Sequence, residues 1–352
     1  MSASVAGTAP RHPRRRLSVV VLVVVLVGVL LGIGWRLVGA AGPPLAFKVV
    51  ADVPLTGDTS RLDYESLDPR TGRLFIAHLG AGSVIAVDTK TQRVAGTIAG
   101  TPSVRGVLAV PELGRVYAAA AGSGDVVVID ERTLAVVGRI ADAGDVDGLA
   151  FDPKTRHVFV SDESGSRDTV IDTRTNRIVA RVALGGEAGN TQYDPRSGHM
   201  FVAVQTRDQL VEIDPRTNGV VGRYELPGCL HAHGLAIDVD ARAAYVACQV
   251  NAAIVKLDLR GHRIAATSST GIGVDVLALD PGLHRLYVAT ESGIVSVFDV
   301  RAGGFTRIAQ AFFAPNAHIV GVDSAHRLYF PLRDIDGRPV LRIALPIPEH
   351  ER

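Results

Sequence analysis

The chain has 352 residues, 47% of them hydrophobic, with 37 Lys and Arg against 36 Asp and Glu. This is ample apolar content for a large core and excludes a disordered chain. Five of the 37 basic residues lie at or before Arg36 and none of the acidic ones does, leaving 32 basic against 36 acidic side chains beyond it. That balance argues against general affinity for nucleic acid, which needs a basic surface.

In chain order, residues 1–16 form a basic tail containing Arg11, Arg14, Arg15 and Arg16. Residues 17–38 follow as an apolar segment, with 17 uncharged residues from Val19 to Trp35. With its flanks this segment is long enough to span the ~30 Å hydrocarbon core of a bilayer as a helix. The preceding arginines orient it with the N-terminus in the cytoplasm, so everything after it is expected outside the cytoplasmic (inner) membrane. A cleaved signal peptide is the alternative, since Val38-Gly39-Ala40 resembles a cleavage site. The length of the apolar run and the interfacial pair Trp35-Arg36 favour an uncleaved, single-pass signal-anchor. Residues 39–46 read as a linker, and residues 47–352 as one folded domain.

That domain is built from a repeat. Asp68, Val110, Asp152, Asp194, Asp238, Asp280 and Asp323 each end a short apolar run, at intervals of 42, 42, 42, 44, 42 and 43 residues. A second Asp recurs 20 residues later at Asp88, Asp130, Asp172, Asp214 and Asp258, and 19 later at Asp299. Several short apolar runs per unit, at this period, predict an all-β, seven-bladed β-propeller with four-stranded blades. The third repeat shows the grammar: Leu149–Phe151, His157–Val160, Thr169–Ile171 and Arg177–Leu184 are expected strands. They are rich in Val, Ile and Phe and lack the 3.6-residue period of a helix. Asp152-Pro153 and Asp172-Thr173 open the turns between them.

Two cysteines occur, Cys229 and Cys248, both near the start of the fifth repeat. In an oxidising compartment a disulfide is the favoured reading; a Cys/His metal site and free thiols are the alternatives. The seventh repeat, from Ile319 to Leu345, supplies only three strands. Phe47–Leu55 reads as a fourth strand without a first three, and is expected to close the ring and so remove exposed sheet edges.

The second strands Tyr245-Val246-Ala247-Cys248, Tyr287-Val288-Ala289-Thr290, Phe159-Val160-Ser161-Asp162 and Phe201-Val202-Ala203-Val204 resemble the Tyr-Val-Thr-Asn strand of YVTN-type (YncE-like) propellers. The turns Asp68–Gly72 and Asp194–Gly198 are similar to that family too, and the resemblance spans roughly residues 47–345. It implies an exported seven-bladed propeller and assigns no mechanism.

In a propeller, the loops leading into the inner strands converge on one mouth of the central channel. Five residues before each repeat position stand Asp63, Arg105, Asp147, Gly189, His233, Asp275 and His318, six of them ionisable. With Asn190 and His231 these form the candidate ligand site, Arg105 being expected to balance Asp63 and Asp147. Convergent polar groups in a concavity are the default binding-site hypothesis. His231-Ala232-His233, on extended chain, is expected to point both rings the same way, which suits a metal. His231, His233 and His318, with a carboxylate from Asp147 or Asp275, then make a candidate site for Zn or Mn; Ca is considered for the acidic loops 163–168 and 333–337. No nucleophile elbow, P-loop, dinucleotide fingerprint or haem-attachment motif is present. The favoured function is therefore a binding module for a protein, peptide or small molecule. The alternative is a metal-dependent lyase or hydrolase.

Overall fold

The computed structural model describes residues 45–348, in which seven four-stranded antiparallel sheets form a propeller. Segments 1–44 and 349–352, including the membrane span expected over 17–38, lie outside the described residues. Among the described residues no helix is long and apolar enough to cross a membrane.

The third blade has the expected four strands, now Val146–Asp152, His157–Asp162, Arg167–Asp172 and Arg177–Ala183, from the channel outward. Each repeated Asp closes its turn with its own carboxylate. Asp152 accepts from the Lys154 and Thr155 N–H groups at 2.9 and 3.2 Å, and Asp172 accepts from that of Arg174 at 2.8 Å. A short acceptor at the first turn position satisfies donors that the ladder leaves open, which is why the sequence repeats Asp there.

The seventh blade is shared by the two ends of the domain. Its inner strands are Gly321–Val322, Leu328–Ile335 and Arg338–Pro346, and Phe47–Pro54 pairs antiparallel with the last of these, as expected. The pairing runs from Phe47 opposite Pro346 to Pro54 opposite Val340, with a bulge between Val49 and Ala51. Asp52 accepts two bonds from Arg342, at 2.8 and 2.7 Å. Seven apolar clusters fill the gaps between neighbouring sheets, each drawing on two adjacent blades. An aromatic ring at the same position of each second strand anchors them: Phe75, Tyr117, Phe159, Phe201, Tyr245, Tyr287 and Tyr329 are all buried. Cys229 and Cys248 are bonded, with Cα atoms 5.0 Å apart, and tie the loop before the fifth blade to its second strand.

The inner strands differ from expectation in one respect that matters for the site. In blades 1 to 6 they begin earlier than the apolar runs suggest, and each carries a one-residue bulge. In blade 3, Val146 pairs with Asp162 and Leu149 with Val160, so three steps on one strand match two on the other. Blades 2, 4, 5 and 6 repeat this shift. In blade 1 the Asp63 N–H donates to the Ala77 carbonyl at 2.9 Å, and the Ala77 N–H to that of Tyr64 at 2.8 Å. Asp63, Arg105, Asp147, Gly189, His233 and Asp275 therefore sit inside bulges rather than in loops. A bulge re-aims the side chain it displaces, which is how residues at the end of a flat strand come to face the channel mouth.

Between blades 3 and 4, the fully buried Asp168 accepts from the Thr191 hydroxyl at 3.2 and 3.3 Å. Burial pushes its carboxyl up to about 7, against the pull of that hydroxyl. From roughly pH 4 to 7 the folded state holds a proton that the unfolded chain has already lost, so stability falls as pH rises through this window and levels off above it. Asp168→Asn is expected to flatten the slope. It should be more stable than wild type at pH 8, by at most about 4 kcal/mol, and no more stable at pH 4, as read from urea midpoints.

Candidate functional site

The mouth is a cavity of about 200 Å³ lined by Arg61, Asp63, Tyr64, Leu79, Arg105, Asp147, Glu163, His233, Gln249 and Asp275. Its floor is formed by bulge residues and its rim by longer side chains. On the floor, Asp275 Oδ1 lies 3.3 Å from His233 Nε2, and its Oδ2 lies 3.9 Å from His318 Nε2. Asp63 Oδ1 lies 3.5 Å from the same His318 nitrogen. Arg61 Nη2 reaches both acids, at 3.2 Å from Asp63 and 3.6 Å from Asp275, while its Nη1 donates to Glu291 at 2.7 Å.

These groups set each other's charge. Burial alone works against a charged His233, but the Asp275 carboxylate and the charge of Asp147 outweigh it and raise the imidazole to about 9. Burial likewise opposes ionised Asp275, yet His233, His318 and Arg61 hold it below the usual carboxylate range. Asp147 shows the reverse balance. Burial dominates, His233 only partly offsets it, and the carboxyl is pushed up to about 7.

Several expected residues stand elsewhere. Arg105 does not balance Asp63 and Asp147; its guanidinium reaches outward to Glu163 at 2.7 Å and Asp145 at 3.1 Å. The long side chain follows the rim, where those acids sit, and Arg61 neutralises the floor instead. Asn190 follows the bulge position of blade 4 and lines a deeper channel cavity of about 480 Å³ rather than the mouth. His231 and His233 do not point the same way. His231 has φ 64°, which breaks the alternation of an extended strand. Its Nδ1 meets Gln249 at 3.0 Å, and its N–H donates to Asp208 at 2.6 Å. The expected set of His231, His233 and His318 does not bring its ligand atoms together. Among the described residues, the three groups that place ligand atoms within 4.8 Å of one another are Asp63, Asp275 and His318.

Gln249 and Glu291 are site residues that the sequence did not single out, and Glu163 was expected only in a candidate Ca loop; the three share a signal of their own. With Gln205, which donates to Glu163 at 3.0 Å, they occupy one repeat position, immediately after the second strand. Aligning the repeats there, rather than only before the inner strands, brings out this polar tier.

No family model matches the chain, and no curated protein matches it. Among solved structures it is similar to a chain of Kuenenia stuttgartiensis hydrazine synthase, at 16% identity and a TM-score of 0.70, over 82% of this chain and 96% of that one. It is also similar to the WD40 repeats of RRP9, at 11% identity and a TM-score of 0.72, over 85% and 99% of the two chains. At these identities the likeness is one of fold: the chain is a seven-bladed β-propeller.

Proposed function

We propose that the protein is an extracytoplasmic binding module, held at the cytoplasmic membrane by residues 17–38, that takes a basic peptide or protein segment in its polar mouth. The second-strand pattern around Tyr245 and Tyr287 supports placing it with the YVTN-type, YncE-like propellers. The observation that carries the binding reading is Asp147. It is 6% exposed and lines the mouth cavity, and its carboxylate forms no hydrogen bond or ion pair among the described residues. A buried carboxylate left in this state is stabilised by an incoming cationic donor. Leu230 and Val250, joined by a backbone hydrogen bond beside the Cys229–Cys248 bond, are exposed apolar residues where flanking side chains of a peptide would rest, and Ile272 is exposed at the position of blade 6 that matches Leu230.

The test uses the full chain and fluorescent octapeptides with one central arginine flanked by leucines, beside the same peptides with citrulline in its place. Arginine peptides are expected to bind at least tenfold more tightly by anisotropy. That preference should vanish in Asp147→Asn. Equal affinity for the two series would overturn the reading.

A further inference from the structure

We propose that Asp63, Asp275 and His318 form a binding site for a first-row divalent metal ion such as Zn²⁺, across blades 1, 6 and 7. The site goes beyond the peptide reading and stands independently of it.

The argument begins with His318. Its Nδ1 lies 2.9 Å from the Asn316 carbonyl oxygen, which only accepts, so Nδ1 carries the hydrogen. Nε2 therefore holds the exchangeable proton, favoured by Asp63 and Asp275 against burial, and an ion that binds here takes its place on the lone pair. This nitrogen belongs to a residue 1% exposed and forms no hydrogen bond. It faces Asp63 Oδ1 at 3.5 Å and Asp275 Oδ2 at 3.9 Å, two further electron-rich atoms. Two carboxylate oxygens and an imidazole nitrogen converging in a buried space favour a positive centre between them. The separations are too long for hydrogen bonds, which end near ~3.2 Å. They suit ligands sharing one ion: bonds of about 2.1 Å in tetrahedral geometry give ligand–ligand edges of roughly 3.4 Å. A carbonyl fixing the far nitrogen of a histidine is also the usual outer support of a metal-bound imidazole.

The donor set selects the ion. One imidazole nitrogen with two carboxylate oxygens suits Zn²⁺, and Mn²⁺ more weakly, whereas Ca²⁺ and Mg²⁺ prefer oxygen alone. Asp63 and Asp275 line the mouth cavity, so coordination positions not filled by the protein face the space where a ligand arrives. Arg61 is the competitor. Its Nη2 approaches the same Asp63 Oδ1 and Asp275 Oδ2 atoms, and its Nη1 is held at the rim by Glu291. An ion therefore binds against the charge of Arg61, and withdrawal of that guanidinium toward Glu291 frees both oxygens.

The experiment is titration of the chelator-treated full chain with Zn²⁺ by calorimetry, and with Co²⁺ by its visible absorption, which reports ligand number. One ion per chain is expected. Asp63→Asn and His318→Ala should each weaken Zn²⁺ at least 100-fold, whereas His231→Ala should leave it unchanged. Arg61→Gln should tighten it at least tenfold, a gain that misfolding does not produce. Absence of stoichiometric binding by the wild type would overturn the proposal. So would undiminished binding in His318→Ala, loss in His231→Ala, or no gain in Arg61→Gln. Asp147→Asn separates this site from the peptide reading: it should abolish the arginine preference while leaving one bound ion.

Discussion

Deleting Phe47–Pro54 is expected to abolish cooperative unfolding of the whole propeller, and Phe47→Ala alone to cost about 3–5 kcal/mol. Phe47 is a buried ring stacked on Phe330 at 5.4 Å and set edge-on to Phe313 and Tyr287 at 5.4 and 6.3 Å. Its removal therefore leaves a cavity between blades 6 and 7, where the surrounding aromatics cannot collapse without leaving their own strands. Loss of the complete strand does more. Arg338–Pro346 loses its only outer partner, and Arg342 loses both bonds to Asp52. A hydrophobic edge is then exposed at the seam of the ring. Val50→Thr, on the half-exposed face of the same strand, should change the urea midpoint little. If the deletion variant unfolds with the wild-type midpoint and slope, the strand does not close the ring in solution.

Gly234→Ala is expected to be the most damaging single-methyl addition on the inner strands. A Cβ at this position would stand 2.0 Å from the Asp275 carbonyl oxygen and 2.6 Å from Leu277 Cδ1. The first of these atoms is backbone, so relief requires blade 5 to move away from blade 6. Overpacking of this kind costs about 1–3 kcal/mol and sometimes more. Here the displacement also pulls His233 from Asp275, so arginine-peptide binding should weaken along with stability. Gly106→Ala, with a carbonyl oxygen of Asp147 at 2.1 Å, should behave similarly. Gly148→Ala meets nothing nearer than 3.3 Å and should be mild. Denaturation midpoints in the order Gly148→Ala above Gly106→Ala and Gly234→Ala would confirm that inter-blade spacing is set here. Equal midpoints would show that the blades yield freely.

The blade count, the turns and the closing strand were legible because each rests on chemistry that a short motif expresses. Asp at a turn corner accepts its own backbone N–H groups, and that local bond recurs wherever the turn recurs. The placement of Asp63, His233, Asp275 and His318 around one mouth followed from the repeat frame alone. Side-chain direction did not. His231 leaves extended geometry at φ 64°, which no residue pattern announces. Arg105 carries enough rotatable bonds to choose between floor and rim acids, and it takes the rim. The bulges were hidden too, because one displaced residue interrupts alternation without changing the composition of the strand.

Those bulges separate what the mouth says from what the propeller stands on. The displaced side chain is held by neither the ladder nor the inter-blade clusters, so Gly, Arg, His and Asp all occupy the same socket on the same backbone. Six such sockets, one in each of blades 1 to 6, differ in the side chain they present. New recognition can be spelled by substitutions at the sockets that already carry a side chain, one blade at a time, whereas at Gly189 a side chain would press on the His233 backbone of blade 5.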